Sequence, residues 1–213
     1  MPQQPTLGRF ISLEGGEGAG KSTQLNLLAE RLVDAGVSLV TTREPGGTTG
    51  AETIRELFVR GKPDRWDAAT EACLVNAARA DHVARLIRPA LERGDWVLCD
   101  RYADSTFAYQ GGPDGVADAD LQALHRVATR DLWPDLTLLL DLPVETGIAR
   151  AHRRLGGDTR FEAHDLSYHQ NVADRFHARA AANPARIRVI NAQVDAHHVA
   201  TAIWAEVAPL LPC

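Results

Sequence analysis

The sequence predicts an α/β protein in which helices cover both faces of a five-stranded parallel sheet. Five short apolar runs alternate with longer segments of helical periodicity, as in consecutive β-α-β units. No repeat, low-complexity tract or long linker interrupts this alternation. A length of 213 residues and a mass of 23.1 kDa suit one domain. We therefore expect a single doubly wound domain over residues 1–213, with a short lid at about residues 150–165.

The first elements are defined by glycine and proline at their ends. A strand at residues 9–13 enters a glycine-rich turn, and a helix at residues 22–35 carries leucines at helical spacing until Gly36 ends it. A second strand at residues 37–42 ends at a proline–glycine turn, and a helix at residues 51–60 follows.

The middle of the chain is more helical. Residues 67–92 form a long helical region, in which Pro89 predicts a kink or break. A third strand is expected at residues 96–99, a glycine-rich connection at residues 105–115 and a helix at residues 118–130.

The last part alternates strand and helix again. The run at residues 136–142 is the most apolar, as a central parallel strand would be, and a helix at residues 145–155 follows it. A helix at residues 166–182, a strand at residues 187–190 and a helix at residues 195–207 complete the sheet and its cover.

Composition and charge argue against several classes of protein. Hydrophobic residues at 45% and charged residues at 24% argue against disorder and fibrous structure. A net charge of -5 provides no broad basic surface for nucleic acid. No signal core opens the chain, and no apolar run approaches the roughly 18 residues of a membrane span. Cys73, Cys99 and Cys213 lack metal-ligand spacing and suit free thiols. We expect a cytoplasmic protein without nucleic-acid or membrane partners.

A phosphate-binding loop is predicted between the first strand and the first helix. Residues 15–22, GGEGAGKS, match the pattern G-x-x-x-x-G-K-[ST] in the required context. The glycines let backbone N–H groups surround phosphate oxygens at a helix N-terminus. Lys21 would reach the β- and γ-phosphates of ATP, and Ser22 would hold Mg²⁺. The alternative is a glycine-rich turn that only starts a helix. The expected ATP-binding residues are Gly15, Gly16, Glu17, Gly18, Ala19, Gly20, Lys21, Ser22 and Thr23.

Charged residues at two strand ends predict a second ligand beside this loop. Arg43 and Arg101 lie at the carboxyl edge of the sheet, and planar guanidinium groups there suit an acceptor phosphate. Asp100 could face the magnesium directly or through water. Glu17 would be repelled by a triphosphate, so it must point away from the donor. Either arginine alone could be a surface charge, and Asp100 alone could be a turn or capping residue.

A charged segment containing glycine spans the end of the helix after the fourth strand and the residues that follow it. It includes Arg150, His152, Arg153, Arg154 and Arg160. A mobile lid would bring arginine over the transferring phosphoryl group and exclude water. The alternative is a solvated helix end and loop.

These residues together resemble the thymidylate kinase family. The resemblance covers nearly the whole chain, and its motifs are more specific than the phosphate loop alone. They are Phe10-Ile11-Ser12-Leu13-Glu14-Gly15, Thr42-Arg43-Glu44-Pro45-Gly46-Gly47-Thr48, Ala77-Ala78-Arg79, Asp100-Arg101-Tyr102, Ser105-Thr106, Ala108-Tyr109-Gln110-Gly111 and Pro134-Asp135-Leu136-Thr137.

The resemblance implies a fold like that of P-loop nucleoside monophosphate kinases and the phosphorylation of dTMP to dTDP with ATP and Mg²⁺, a step in dTTP supply for DNA replication. Arg43 and Arg101 would hold the dTMP phosphate, and Glu17 would contact the 3′ hydroxyl. Arg79 and Thr106 would bond the thymine edge, while Tyr109 would crowd the 2′ position. The same motifs place Ser105 and Gln110 among the substrate-binding residues. Ser22 and Asp100 remain the expected metal ligands.

The phosphate loop carries Glu17-Gly18 and no arginine, which resembles the bacterial branch whose lid supplies the catalytic arginine. Here that residue would be Arg153 or Arg154, with Arg160 and Glu162 nearby. Lys21 and Arg101 complete the expected catalytic set. The resemblance also implies a homodimer.

Two positions depart from the family pattern. The family places an aromatic residue, usually Phe, on the thymine where this chain has Val75, followed by Asn76. Losing a stacked ring costs about 1–3 kcal/mol in single-strand recognition, so Val75→Phe is expected to tighten dTMP binding. The lid reads Asp158-Thr159-Arg160 instead of an adjacent Asp-Arg pair.

Other functions compete with this interpretation. One is a kinase for another nucleotide or for a deoxynucleoside, although a neutral hydroxyl acceptor should need a carboxylate base. Another is a nucleotide-dependent switch or binding module, which would leave Arg43, Arg79, Arg101 and Tyr109 without a role. A phosphate acceptor is largely dianionic at neutral pH and needs no base.

Overall fold

The computed structural model describes residues 8–153, 160, 161 and 163–211 of the chain. Within this part, five strands form one fully parallel sheet in the order β2-β3-β1-β4-β5. The predicted α/β class and the five predicted strands are confirmed, with their bounds shifted by one or two residues. The strands are β1 Phe10–Glu14, β2 Leu39–Arg43, β3 Trp96–Asp100, β4 Leu136–Asp141 and β5 Ile187–Asn191.

Helices connect consecutive strands and cover both faces of the sheet. In chain order they are α1 Lys21–Asp34, α2 Thr49–Val59, α3 Ala68–His82, α4 Arg88–Glu92, α5 Ala103–Gln110, α6 Asp118–Thr129, α7 Val144–His152, α8 Leu166–Ala182 and α9 Ala196–Val207. A π-helical turn, Val83–Ile87, joins α3 to α4, and a short 3-10 turn, Ala208–Leu210, follows α9. No helix in the described residues has the length and apolar character needed to cross a bilayer.

The long helical region is interrupted just before Pro89, as the sequence predicts. The α-helix ends at His82, and the π-helical turn Val83–Ile87 separates it from the helix that contains Pro89. Pro89 lies in the first turn of α4, the helical position at which proline is best tolerated. The widened turn before it accommodates the proline ring without ending the helical path.

The prediction of a connection at residues 105–115 is wrong for its first half. Ala103–Gln110 forms α5, and most of its side chains are buried, including the polar Asp104, Thr106 and Gln110. A helix buried on nearly all sides shows no apolar stripe, so periodicity does not reveal it. The nearby glycines belong to the segment after the helix.

The core consists of two layers on the two faces of the sheet. Alternate strand residues point to opposite faces. Ile11 and Leu13 of β1 pack with α1 and α9, whereas Phe10 packs against the π-helical turn, α4 and the start of α5. Burial on both faces explains why the central strands read as continuous apolar runs.

A buried carboxylate joins several of these elements. Asp104 of α5 is 1% exposed and accepts hydrogen bonds from Arg179 of α8 at 2.9 Å and from Arg186, just before β5, at 2.7 Å. The bonds hold α5 in position beside the sheet.

The strand order creates a crevice at the carboxyl ends of the central strands. β1 is flanked by β3 on one side and β4 on the other, so the connections on the two sides of β1 diverge. Ligands of open α/β sheets bind in such crevices. The glycine-rich loop after β1 lies at its centre.

Candidate active site

A cavity of about 900 Å³ opens at this crevice. Its volume suits a pair of small polar ligands rather than a single ion. Most of the site residues that the sequence predicts line this one cavity, namely Glu17, Gly18, Ala19, Gly20, Lys21, Ser22, Thr23, Arg43, Arg79, Asp100, Arg101, Ser105, Thr106, Tyr109 and Gln110. The structure therefore brings the predicted ATP and acceptor residues together.

The phosphate loop packs closely against the elements beneath it. Gly18 has φ +66°, and a Cβ there would lie 2.0 Å from the carbonyl oxygen of Gly147 in α7. At Gly15, with φ +135°, a Cβ would lie 2.4 Å from the Leu140 carbonyl oxygen. Only glycine combines these backbone angles with such close approaches. Gly15 and Gly16 also border a separate cavity of about 30 Å³ behind the loop.

Lys21 lies across the loop at the start of α1. Its Nζ donates to the carbonyl oxygens of Gly16 at 2.9 Å and Gly15 at 3.2 Å. Burial, reinforced by the positive charge of Arg101, lowers the pKa of Lys21 to about 8. The ammonium group is thus largely charged at neutral pH and is held where the loop would receive phosphates.

Ser22 and Asp100 meet at the mouth of the loop. The Ser22 Oγ donates to the Asp100 carboxylate at 2.7 Å, and both residues line the cavity. A hydroxyl and a carboxylate are hard oxygen ligands of the kind that Mg²⁺ prefers.

Arg101 connects the two sides of the cavity. Its guanidinium group donates to the Gly15 carbonyl at 2.9 Å, Ser105 at 3.1 Å, Glu17 at 2.9 Å and Tyr109 at 3.0 Å. The residue has φ +69°, an uncommon backbone conformation for arginine, immediately after β3. These bonds fix a cation between the phosphate loop and α5.

Glu17 points from the loop toward α5, as the sequence argument requires. It accepts hydrogen bonds from Arg101 and from the Tyr109 hydroxyl, the latter at 3.0 Å. Burial alone would raise its pKa, but Arg101 and then Lys21 overcome that effect and lower the pKa to about 2. Glu17 is therefore a carboxylate across the neutral pH range.

Arg43 occupies the rim of the cavity. It ends β2, opposite Asp100 in the strand register, and its side chain is 55% exposed. Both carboxylate oxygens of Glu52 accept from it at 3.1 Å. The side chain is thus held at the rim of the cavity by a pairing that solvent can reach.

Arg79 is far more buried than a rim arginine. It is 1% exposed and donates to Glu44 at 2.7 Å, Thr106 at 2.9 Å and Asn76 at 3.2 Å. Glu44 also bonds the His82 ring at 3.0 Å. Arg79 and Thr106, both predicted to read the base, therefore form one connected group.

Sequence reasoning missed the role of Glu44, although Glu44 stands inside a quoted motif. It also missed Glu14, the last residue of β1, which is completely buried. The Tyr102 N–H and the Ser105 hydroxyl donate to Glu14 at 2.7 and 2.6 Å. Burial, together with the charge of Asp104, raises the pKa of Glu14 to about 7. For Glu14, the signal in the sequence was a carboxylate at the end of an otherwise largely apolar strand.

Gln110 and Arg160 meet through Glu71. Gln110 donates to Glu71 at 2.9 Å, and Arg160 pairs with the same carboxylate at 2.6 Å. Arg160 is 3% exposed and also donates to the carbonyls of Phe58 at 2.6 Å and Pro63 at 3.1 Å. The sequence placed Arg160 beside the phosphoryl-transfer arginines, whereas the structure buries it against α2 and α3.

The other lid predictions are only partly within the described residues. Arg153 follows the end of α7 and is exposed. Arg154 and Glu162 lie outside the described residues. Arg150, which the sequence did not single out as a binding residue, lines the cavity and donates to the Ala192 carbonyl at 3.3 Å.

Comparisons with known proteins identify the family to which this chain is similar. The family model described as thymidylate kinase matches residues 13–203. The thymidylate kinase of Rhizorhabdus wittichii is 52% identical over 206 residues, which cover 96% of this chain and 99% of that protein. The thymidylate kinase of Thermomicrobium roseum is 53% identical over 202 residues, covering 95% of each chain.

A solved structure has the same fold. The crystal structure of thymidylate kinase from Ehrlichia chaffeensis is similar with a TM-score of 0.76 and 32% sequence identity, over 94% of this chain and 98% of that one. The family model and the two relatives span the phosphate loop, the arginine clusters and α5. With this cavity and these matches, the chain belongs to the thymidylate kinase family.

Proposed function

We propose that the cavity aligns ATP and dTMP across the space between Lys21 and Arg101. As a member of the thymidylate kinase family, the chain is a nucleoside monophosphate kinase that phosphorylates dTMP to dTDP with ATP as donor. The observation that carries the residue assignment is the Arg101 cluster, in which one guanidinium group contacts the phosphate loop, Glu17 and α5.

On the donor side, the backbone N–H groups of the phosphate loop and the Lys21 ammonium group bind the ATP phosphates. Lys21 exchanges its bonds to Gly15 and Gly16 for phosphate oxygens. Arg150 and the start of α9 line the same cavity beyond the loop and border the remainder of the nucleotide.

On the acceptor side, Arg43 and Arg101 hold the dTMP phosphate, Ser105 supports Arg101, and Glu17 accepts a hydrogen bond from the 3′ hydroxyl. The dianionic phosphate is itself the nucleophile, so no side chain has to remove a proton. Catalysis then depends on alignment and on positive charge around the transferring group.

Arg79 and Thr106 face the base from buried positions, and Gln110 borders the same region. Tyr109 is held by Glu17 and Arg101 and limits the space beside the sugar. Because these donors are fixed by their own partners, they are oriented before the nucleotide arrives.

The residues at the loop mouth fit a magnesium ion. Ser22 and Asp100 provide two oxygen ligands beside the phosphate loop, so Ser22 would bind Mg²⁺ directly and Asp100 directly or through water. When bound with ATP, the ion neutralises charge on the β- and γ-phosphates.

Arg153 and Arg154 remain the proposed source of the lid cation that stabilises charge on the transferring phosphoryl group. We also propose one domain with a lid at about residues 150–165, a cytoplasmic location and a homodimer. The resemblance supports the dimer, and sedimentation equilibrium would test it. A mass near 23.1 kDa at micromolar concentration would contradict it.

The deciding experiment is a coupled ADP-release assay with ATP, Mg²⁺ and a panel of nucleoside monophosphates. We expect preferential turnover of dTMP. Lys21→Ala should lower kcat by about 100-fold or more, since it removes a cation from the transferring phosphates. Lys62→Ala is the matched control, because Lys62 is exposed.

Near wild-type turnover in Lys21→Ala would refute the site assignment, provided that circular dichroism shows both variants folded. Preferential turnover of another monophosphate would keep the phosphate-transfer residues and refute the assignment of the base pocket.

A further inference from the structure

One end of the cavity has an apolar wall built from two helices and from Phe161, which lies within the proposed lid segment. Phe58 of α2, Val75 of α3 and Phe161 form a buried cluster, and all three line the cavity. The rings of Phe58 and Phe161 are 5.2 Å apart, and Tyr109 meets Phe161 edge-on at 5.8 Å. The wall is therefore rich in aromatic surface although Val75 has none.

Buried polar groups border this wall. Arg79, Thr106 and Gln110 are each 1–2% exposed and line the cavity beside it. An apolar face with fixed hydrogen-bonding groups at its edge suits a planar heterocycle whose heteroatoms lie on its rim. This end of the cavity thus matches the base of a nucleotide better than its sugar or phosphate.

Phe58 is the fixed member of the wall. It lies one residue before the end of α2, and α2 packs along α3. Its carbonyl accepts from the buried Arg160, whose guanidinium carbon lies 5.3 Å from the Phe58 ring and 4.3 Å from the Phe161 ring. Arg160 therefore holds the backbone of Phe58 and packs beside both rings.

Phe58 and Val75 share one space. They are 6% and 5% exposed and belong to the same packed cluster, in which α2 provides the large side chain and α3 the small one. A second ring at position 75 would crowd Phe58 and Phe161 or project into the cavity that the base would occupy. Overpacking of a filled cluster is destabilising.

We infer that Phe58 supplies the aromatic face for the acceptor base. Position 75 carries a valine instead of a larger aromatic residue because the Phe58 ring fills the space next to it. The inference rests on the proposed function, since it assigns a specificity residue within the same cavity. It reverses the effect expected for Val75→Phe from the sequence: with Phe58 present, the substitution weakens dTMP binding.

The test compares ligands with and without a base. Phe58→Leu should weaken dTMP binding, measured by calorimetry, by about 10-fold, within the range of base–aromatic stacking. The inhibition constant of 2-deoxyribose 5-phosphate and the dissociation constant of ATP should stay within about 2-fold of their wild-type values. Neither ligand is expected to contact the Phe58 ring. Leu57→Ala, at an exposed neighbour on α2, is the matched control and should bind dTMP as the wild type does.

A second experiment exchanges the large and small side chains at positions 58 and 75. Val75→Phe alone should weaken dTMP binding, and Phe58→Leu combined with Val75→Phe should recover part of the loss, since the ring then enters the space from α3. Phe58→Met keeps most of the volume without the ring and replaces Phe58→Leu if circular dichroism shows that variant unfolded.

Equal losses for dTMP and 2-deoxyribose 5-phosphate, unchanged dTMP binding in Phe58→Leu, or tighter binding in Val75→Phe would each overturn the inference. Wild-type turnover of dTMP tests the proposed function separately. If the wild type prefers another monophosphate, the same variants measured with that nucleotide still decide the role of Phe58.

Discussion

Glu14 and Glu17 stand three residues apart around the start of the phosphate loop, yet their surroundings move their pKa values in opposite directions. Glu14 ends a buried strand and faces the charge of Asp104, and burial raises its pKa to about 7. Glu17 faces Arg101 and Lys21, which overcome its burial and lower its pKa to about 2. The sequence distance is small, but the partners come from other elements.

The raised pKa of Glu14 predicts a pH dependence of stability. Between about pH 4.5 and 7 the folded chain binds the Glu14 proton more tightly than the unfolded chain, so this residue makes stability fall as pH rises. Glu14→Gln removes that effect. Its free energy of unfolding, relative to wild type, should increase by up to about 3 kcal/mol across this range.

Urea unfolding at several pH values between 5 and 8 measures the difference. Glu30→Gln, at an exposed position of α1, serves as the control and should keep a constant offset from wild type. A constant offset for Glu14→Gln as well would contradict the prediction.

At the scale of elements, the position of the phosphate loop depends on how closely α7 approaches it. A Cβ at Gly147 would lie 2.4 Å from the carbonyl oxygen of Glu17, and a Cβ at Gly18 would lie 2.0 Å from the carbonyl oxygen of Gly147. The loop and the helix before the lid are therefore in backbone contact. A shift of α7 has to move the loop with it.

Gly147→Ala tests this contact. In a helix, alanine is intrinsically favoured over glycine by about 1 kcal/mol, so a loss of stability must come from the close approach. We expect a lower melting temperature and weaker ATP binding, because the loop backbone is displaced.

Thr146→Ala, at an exposed neighbour on α7, is the control and should change neither quantity appreciably. A Gly147→Ala variant as stable as wild type, with the same dissociation constant for ATP, would contradict the predicted displacement.

At the scale of the whole molecule, one crevice receives residues from both halves of the chain. β1 lies between β3 and β4, and the cavity extends from the start of α9 past the phosphate loop to α2, α3 and α5. The proposed donor residues lie in the phosphate loop and at the start of α1, whereas the proposed acceptor residues come from that loop, the ends of β2 and β3, and the helices α3 and α5. Two ligands can thus stabilise the same fold from separate ends.

We predict separable stabilisation by the two nucleotides. Each ligand at about 100 times its dissociation constant adds about 2.7 kcal/mol, or a melting shift on the order of 5–10 °C for a chain of this size. In Lys21→Ala, the shift with ATP should largely disappear and the shift with dTMP should persist. Thermal scans with each ligand alone measure both, and equal loss of the two shifts would refute separate subsites.

The phosphate loop and the alternating strands were predictable because their determinants are local. Backbone angles that need glycine, a lysine and a serine at a helix start, and apolar runs of strand length all appear within a few residues of one another. The order of strand and helix then predicted one parallel sheet, which is confirmed. The helix α5 was missed because its burial on nearly all sides erases the periodicity that marks a helix.

The sequence by itself determined the fold class, the phosphate loop and the strand ends that carry Arg43, Asp100 and Arg101. Only the tertiary structure decided which distant side chains become partners. Glu44 pairs with Arg79 across 35 positions, Arg160 is buried against Glu71 and Phe58, and Phe58 occupies the space beside Val75. Such pairings depend on how the helices pack on the sheet. Packing brings together residues that are far apart along the chain, and their separation in sequence does not predict which of them meet.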